Sequence, residues 1–416
     1  MILVDISSIL HRMIFGSTRD AIIKTKDNKY KTEDFIKLTL YYILNELINI
    51  QINYKKYGDI VICFDDYTKN YWRKDFYPAY KANRSTIRNE SPIEYKEVFA
   101  YTNELFDQIS KNLPWKSIYV TGAEADDVIL VLAKEYYQEG VLILSPDKDF
   151  LQCQRLPNIS QYSALTNKWM IPENKNKDMS DWIHEHVILG DAADGVPKIT
   201  DHTVFTDTFK CHLGKYSEAL KHYLQDDPSK ILEVIEFNKL PEPARLKIID
   251  DFEEKTFNRK GQETGYDIFE NKRFGQSHLA KIFNGEMLKK IKIDKLQEQK
   301  KLNKGNKPKI KELNLKIKEI KAEENTKSLQ ENLDEFLDYN PLYREHYDRN
   351  FILVMEEGIP DYIRKNILLE YNIASTDYNE EKFVEYLEKI GLSKIKTMLP
   401  KVFQSNTELD ISNCGW

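Results

Sequence analysis

Cysteine is scarce in this chain. Its 416 residues hold four, Cys63, Cys153, Cys211 and Cys414, with no CxxC pair and no zinc-type spacing. That argues against a disulfide scaffold or a cysteine zinc site and for a reduced protein of the cytoplasm. Long apolar runs are missing too: no window approaches the ~20 residues that a membrane-spanning helix needs, so no membrane is expected. No basic segment precedes the first apolar run, MILVDISSIL, and its Asp5 reads as the end of a first strand rather than part of a signal peptide. The net charge of −6 does not decide for or against a polyanionic partner, because clustered acids can mask clustered bases. With 41% hydrophobic residues, the chain can build two or three domains with cores of their own.

The first 200 residues alternate between short β-rich runs and longer helical patterns. Residues 1–6, 59–65, 117–121 and 141–145 read as strands by their density of β-branched residues. Residues 32–56, 92–112 and 123–139 repeat apolar residues at helical spacing. The pattern predicts an α/β fold with a mostly parallel central sheet flanked by helices, followed by an all-α C-terminal region. Past residue 200 the strands stop. Residues 281–327 hold 15 Lys against 7 acids, with Ile310, Leu313, Ile317 and Ile320 on one stripe and Leu288, Ile291 and Leu296 on another. Between the stripes lies the turn sequence NKGNKP, 303–308, so residues 286–328 read as a lysine-rich helical hairpin. A solvated charged face is its plainer explanation. The expected division is 1–200, then a helical region 201–340, then helices of 341–416 that pack back on the core.

The segment LILSPDKDF ends a buried strand with two aspartates, Asp147 and Asp149. Alone, the pair reads equally well as a helix cap and a first-turn acid. Other strand ends carry the same feature: Asp5; Asp65 with Asp66; Glu124 with Asp126 and Asp127; and, in LGDAADGVP, Asp191 with Asp194. In a parallel sheet these all fall at the carboxyl edge, where ligands bind. So many carboxylates repel one another unless divalent metal lies among them. Oxygen-only ligation suits two Mg²⁺ ions, with Mn²⁺ able to substitute, and a two-metal site suits phosphodiester cleavage. His184, Glu185 and His186 read as a surface feature of a helix rather than a zinc site. Bases follow directly after Asp66. Residues 67–88 hold six Lys/Arg against one acid, interleaved with Tyr67, Tyr71, Trp72, Phe76, Tyr77 and Tyr80. That is the composition of a single-strand channel, or else of an amphipathic surface helix.

The motifs ILVD, CFDD, YWRKDFYPAYKANR, EADD, SPDKDF and GDAADGVP, in this order, resemble the 5′-nuclease superfamily of flap endonucleases and 5′→3′ exonucleases, and within it a phage branch that removes RNA primers. The likeness covers residues 1–200 and resumes more weakly at 342–403. It implies a PIN-like α/β nuclease domain in which Asp5, Asp65, Glu124, Asp126 and Asp147 hold a first metal. Asp149, Asp191 and Asp194 would serve a second, and Asp66 and Asp127 would support from behind. It implies catalytic roles for Arg73, Lys81, Asp126 and Asp147, and DNA contacts from Arg73, Lys74, Tyr80, Lys81, Arg84 and Arg88, with Tyr80 stacking on a terminal base. The implied substrates are DNA and RNA–DNA hybrids with 5′ ends or flaps, handled by a monomer that can contact a sliding clamp or single-strand-binding protein. Relatives often follow GDxxDN with a glycine-rich duplex-binding turn, whereas here Gly195 replaces the Asn and no such turn follows. Two rival readings are a phosphatase of the haloacid dehalogenase type and a non-catalytic DNA-binding scaffold.

Overall fold

The computed structural model describes residues 1–14, 32–78, 80–81, 95–171, 179–191, 193–199, 276–339 and 341–403. Contacts divide the chain into two units. One comprises Met1–Trp72, Arg88–Asn176 and Ile359–Trp416, the other Arg73–Ile87 and Lys177–Gly358. The expected helices of 205–275, the residues Arg84 and Arg88, and the chain beyond 403 lie outside the described residues.

The first unit is built on a six-stranded sheet. Its strands are β1 (Ile2–Asp5), β2 (Ile60–Cys63), β3 (Lys116–Ile118), β4 (Val141–Leu144), β5 (Ile159–Ser163) and β6 (Lys168–Met170), in the order β3-β2-β1-β4-β5-β6. All neighbours run parallel except β5 and β6. β1, β2 and β4 are buried at every position, as expected of continuous apolar strands covered on both faces. The connection from β1 goes one way to β2 and the chain later returns on the other side to β4. The strand order therefore reverses between β1 and β4, where the carboxyl ends leave a crevice.

Helices cover that sheet because their apolar stripes match it. Helix α1 (Thr32–Asn53) buries Phe35, Leu40, Ile43, Leu44, Leu47 and Ile48. Its buried Gln51 accepts from the backbone N–H of Ile60 at 3.1 Å and donates to the carbonyl of Gly58 at 3.1 Å, tying the helix to the start of β2. Helix α2 (Tyr95–Asn112) adds Leu105, Phe106 and Ile109, and α3 (Ala125–Glu135) is buried along most of its length. Phe383, Leu387, Ile395, Leu399 and Val402, from the far end of the chain, enter the same apolar core.

The second unit is helical. α4 (Met179–Leu189), α5 (Gln276–Phe283), α6 (Glu286–Leu302), α7 (Lys307–Ala322), α8 (Leu329–Tyr339) and α9 (Pro341–Val354) follow in sequence. Its core joins Val187, Ile188, Ile282, Met287, Ile291, Phe336, Tyr343, Leu353 and Met355 with Tyr77 and Tyr80. Buried Asn350 donates to the carbonyls of Val187 and Pro197 at 2.9 and 2.7 Å, closing α9 onto the segment after α4. α6 and α7 form the expected hairpin. Asn306 caps α7 by accepting from the Lys309 N–H, and Pro308 stands in its first turn, where the missing N–H costs nothing.

Candidate active site

At the switch between β1 and β4 the sheet presents its acids. Asp5, the last residue of β1, is only 7% exposed. Its Oδ1 accepts from the Ser8 N–H at 3.2 Å and its Oδ2 from the Ser145 hydroxyl at 2.9 Å. Burial, reinforced by the negative charge of Asp65, pushes the Asp5 carboxyl above its usual range. Asp65, two residues past β2, accepts from the Ser7 hydroxyl at 2.8 Å and from the Ala125 N–H at 2.9 Å, so it faces the N-terminus of α3. Asp126 lies one residue into that helix and acts, with Asp5, on the buried thiol of Cys63, which burial drives well up. Glu124 is buried at the head of α3.

Asp147 bears out the cap reading of the aspartate pair. Its Oδ1 accepts from the Asp149 N–H at 3.0 Å and so caps the short helix Lys148–Arg155. Its own N–H donates to the Ser145 hydroxyl at 3.2 Å, and its carbonyl accepts from Gln161 Nε2 at 2.6 Å. Ser145 thus bridges β4 to Asp5 and steadies the loop of Asp147. Among the described residues no three of the His, Cys, Asp and Glu side chains close around a point where an ion could sit. Serine hydroxyls and backbone N–H groups take up the charge instead.

Two acids of the motifs have structural work. Asp66 accepts from the N–H groups of Thr68 and Gly122 and from the hydroxyls of Thr68 and Tyr119, at 2.7–2.9 Å. Burial pushes its carboxyl up, but these donors outweigh it and hold it below the usual range. Asp127 is fully buried and accepts from Trp72 Nε1 at 3.1 Å and from the Glu124 N–H at 2.9 Å. Both carboxylates fasten the loops from which the neighbouring acids project. Ser7, Ser145 and Gln161 are the residues that sequence reasoning missed, and Trp72, read there as a channel ring, instead holds Asp127. Ser145, immediately before the Pro-Asp-Lys-Asp segment, is the one with a local signal.

Along residues 67–81, which pass from the first unit into the second, the bases and aromatics differ from an open channel. Tyr71, Trp72, Tyr77 and Tyr80 are buried, and of the rings between 67 and 80 only Tyr67 and Phe76 are exposed. Tyr80 does not present a free stacking face: its hydroxyl donates to Asp194 Oδ2 at 2.9 Å. Lys81 Nζ meets the same oxygen at 3.2 Å, and its backbone N–H donates to the Asp194 carbonyl at 2.8 Å. Arg73 is 3% exposed and donates through Nε to the carbonyl of Leu353 at 2.8 Å, with its guanidinium 5.7 Å from the centre of the Tyr80 ring. Lys74 is the other base of this short helix, Trp72–Phe76, which also carries Asp75. These rings are consumed by packing, because a five-residue helix cannot bury a face without them.

The acidic loop of the second unit is also pinned. Asp191 Oδ1 accepts from the Ala193 N–H at 2.7 Å, and its carbonyl accepts from the Val196 N–H at 2.7 Å. Gly195 has φ of 74°, a left-handed conformation that Gly and Asn tolerate best, so the departure from Asn keeps the backbone requirement. His184 and His186 correct an expectation. They are half-buried rather than on the surface, His184 Nδ1 lying 2.6 Å from the Tyr347 hydroxyl and His186 stacked on Trp182.

Residues 1–182 match the family model described as 5′-3′ exonuclease, N-terminal resolvase-like domain. Ribonuclease H of Enterobacteria phage T4 is 32% identical over 171 residues, which are 39% of this chain and 55% of that protein. The chain therefore spans about half the length of that relative. The 5′-3′ exonuclease of Buchnera aphidicola subsp. Schizaphis graminum is 31% identical over 229 residues, 54% of this chain and 72% of the relative. A zinc-bound T5 5′-exonuclease structure shares 17% identity at a TM-score of 0.38 over 62% of this chain and 86% of its own, too distant to add weight. The Buchnera match takes in nearly three quarters of the relative at 31% identity. On that ground the chain belongs to the 5′-3′ exonuclease family.

Proposed function

We propose that this protein is a divalent-metal-dependent 5′ nuclease. It would act as a 5′→3′ exonuclease and flap endonuclease on DNA and RNA–DNA hybrids, leaving 5′-phosphates, and would remove RNA primers during phage DNA replication. The observation that carries the reading is the placement of Asp5, Asp65, Asp126 and Asp147 along the carboxyl edge of a parallel sheet, in a chain of this family. The donor set fits Mg²⁺ or Mn²⁺, since it is all oxygen and the Asp5–Asp65 repulsion is what a divalent cation would relieve. Bound there, such ions supply Lewis-acid polarisation of the scissile phosphate and neutralise its developing charge.

The chain's own groups do the rest. Asp5, Asp65, Glu124, Asp126 and Asp147 would hold the first ion, with Asp149 serving a second. Ser7 and the Ala125 N–H aim Asp65, while Ser8 and Ser145 aim Asp5. Arg73, Lys74 and Lys81 are the cations proposed for the phosphates. In Lys81, substrate would compete with Asp194 for one ammonium group. The testing experiment uses a 5′-labelled flap duplex and an RNA–DNA hybrid, each with Mg²⁺ and with EDTA. Release of label from the 5′ end in Mg²⁺ alone is expected. Tight binding without cleavage in Mg²⁺ would turn the reading to a scaffold.

A further inference from the structure

The lysines of the α6–α7 hairpin fall into two groups. Some are neutralised, at the base and, through Glu312, along α7. Lys292 meets Glu335 at 3.0 Å, and Lys327 meets the same carboxylate. Lys309 and Lys316 clasp Glu312 at 2.9 and 2.8 Å, Lys289 donates to the carbonyl of Glu323, and Lys295 lies 4.5 Å over the Tyr339 ring. Around the turn most are not, Lys309 being the exception. Lys300, Lys301, Lys304, Lys307 and Lys311 have no ion pair among the described residues, although they crowd the turn and the two helix ends beside it.

Packing does not account for that tip. The buried side chains of the hairpin are Met287, Leu288 and Ile291 on α6 and Leu313 and Ile317 on α7. Nothing between Lys292 and Glu312 is buried, so the outer hairpin contributes no core. Stability would favour acids near the turn, and the first turn of α7 has none. Lys307 stands at that positive helix end, where a cation is disfavoured. Uncompensated like charge on a projection without a core is a surface shaped for a polyanion. Leu302, 85% exposed among these lysines, adds an apolar contact that a phosphodiester chain's sugars could meet.

We propose that the hairpin tip is a phosphate-binding arm that grips the backbone of duplex DNA, through Lys300, Lys301, Lys304, Lys307 and Lys311. The choice of DNA as the polyanion rests on the nuclease reading above. Each lysine that meets a phosphate releases counterions, and the slope of log affinity against log salt falls by about 0.9 when it is lost.

The test compares two variants of the full chain with equal charge change. One replaces the tip lysines, Lys300→Gln, Lys301→Gln, Lys304→Gln and Lys307→Gln. The other replaces neutralised lysines, Lys292→Gln, Lys309→Gln, Lys316→Gln and Lys327→Gln. Binding to a 5′-flap duplex is followed by fluorescence anisotropy in EDTA. Between about 50 and 200 mM salt the tip variant should lose roughly a hundredfold less affinity than wild type if all four lysines meet phosphates. The second variant should keep the wild-type slope. Equal slopes for wild type and the tip variant would overturn the proposal, as would equal loss of slope in both variants, which would mark a diffuse charge effect. If wild type fails to cut the flap while the tip variant still flattens the slope, the nuclease reading falls and the arm stands.

Discussion

Four hydrogen-bond donors converge on the single carboxylate of Asp66, while its neighbour Asp65 is given two. The difference separates a fastening residue from a candidate ligand. Asp66→Ala strands several partly buried donors and should cost about 2–4 kcal/mol, read from urea unfolding midpoints. Residue type was legible in the sequence: a carboxylate at each strand end is visible without a structure. The division of labour among them was not, because Ser7, Tyr119 and Trp72 reach the acids across 50 to 60 positions of chain. Asp147 was ambiguous as sequence for a physical reason, since one carboxylate can cap a helix with one oxygen and keep the other for a ligand.

Elements show where local patterns suffice. β1, β2 and β4 are buried throughout and, but for the terminal Asp5, apolar, and were legible, whereas β5 and β6 were not. β5 alternates buried and half-buried polar residues, and β6 is an exposed antiparallel edge whose strand character comes from its neighbour. Gly190 ends α4 with φ of 61°, and a Cβ there would lie 2.4 Å from the Val196 carbonyl oxygen. Gly190→Ala should therefore destabilise the second unit by at least about 1–3 kcal/mol, measured as a lowered melting temperature. Between α8 and α9, Arg344 Nη2 contacts Asp334 at 2.9 Å and Asp338 at 2.7 Å. Burial pushes Asp334 up, but hydrogen bonds from Gln330 and Arg344 prevail and hold it below the usual carboxylate range. A depressed folded value means that the stabilisation is present above the unfolded pKa of about 3.9 and is lost as pH falls through the folded one. Arg344→Gln should flatten that acid limb in urea midpoints, by no more than about 1 kcal/mol because the pair is partly exposed.

At the scale of the whole chain, both units are discontinuous. The sheet's core takes Phe383, Leu387 and Leu399 from beyond residue 358, and the helical unit takes Tyr77 and Tyr80 from within the first hundred residues. Sequence suggested consecutive blocks because composition changes near residue 200, but contact and composition do not share boundaries. Truncation after Gly358 should unfold the sheet unit, since Phe383 alone fills space worth about 3–5 kcal/mol; limited proteolysis would show cleavage within 95–171. The central claim, that the acids of the sheet edge hold divalent cations for phosphodiester hydrolysis, is tested most directly at Asp65. Asparagine there can still accept from the Ala125 N–H and donate to the Ser7 hydroxyl, so the fold should survive. The measurement is the rate of 5′-flap cleavage against Mg²⁺ concentration for wild type and Asp65→Asn. A folded variant slower by at least about a hundredfold at saturating Mg²⁺ is the predicted result. A wild-type rate and Mg²⁺ dependence in Asp65→Asn would contradict it.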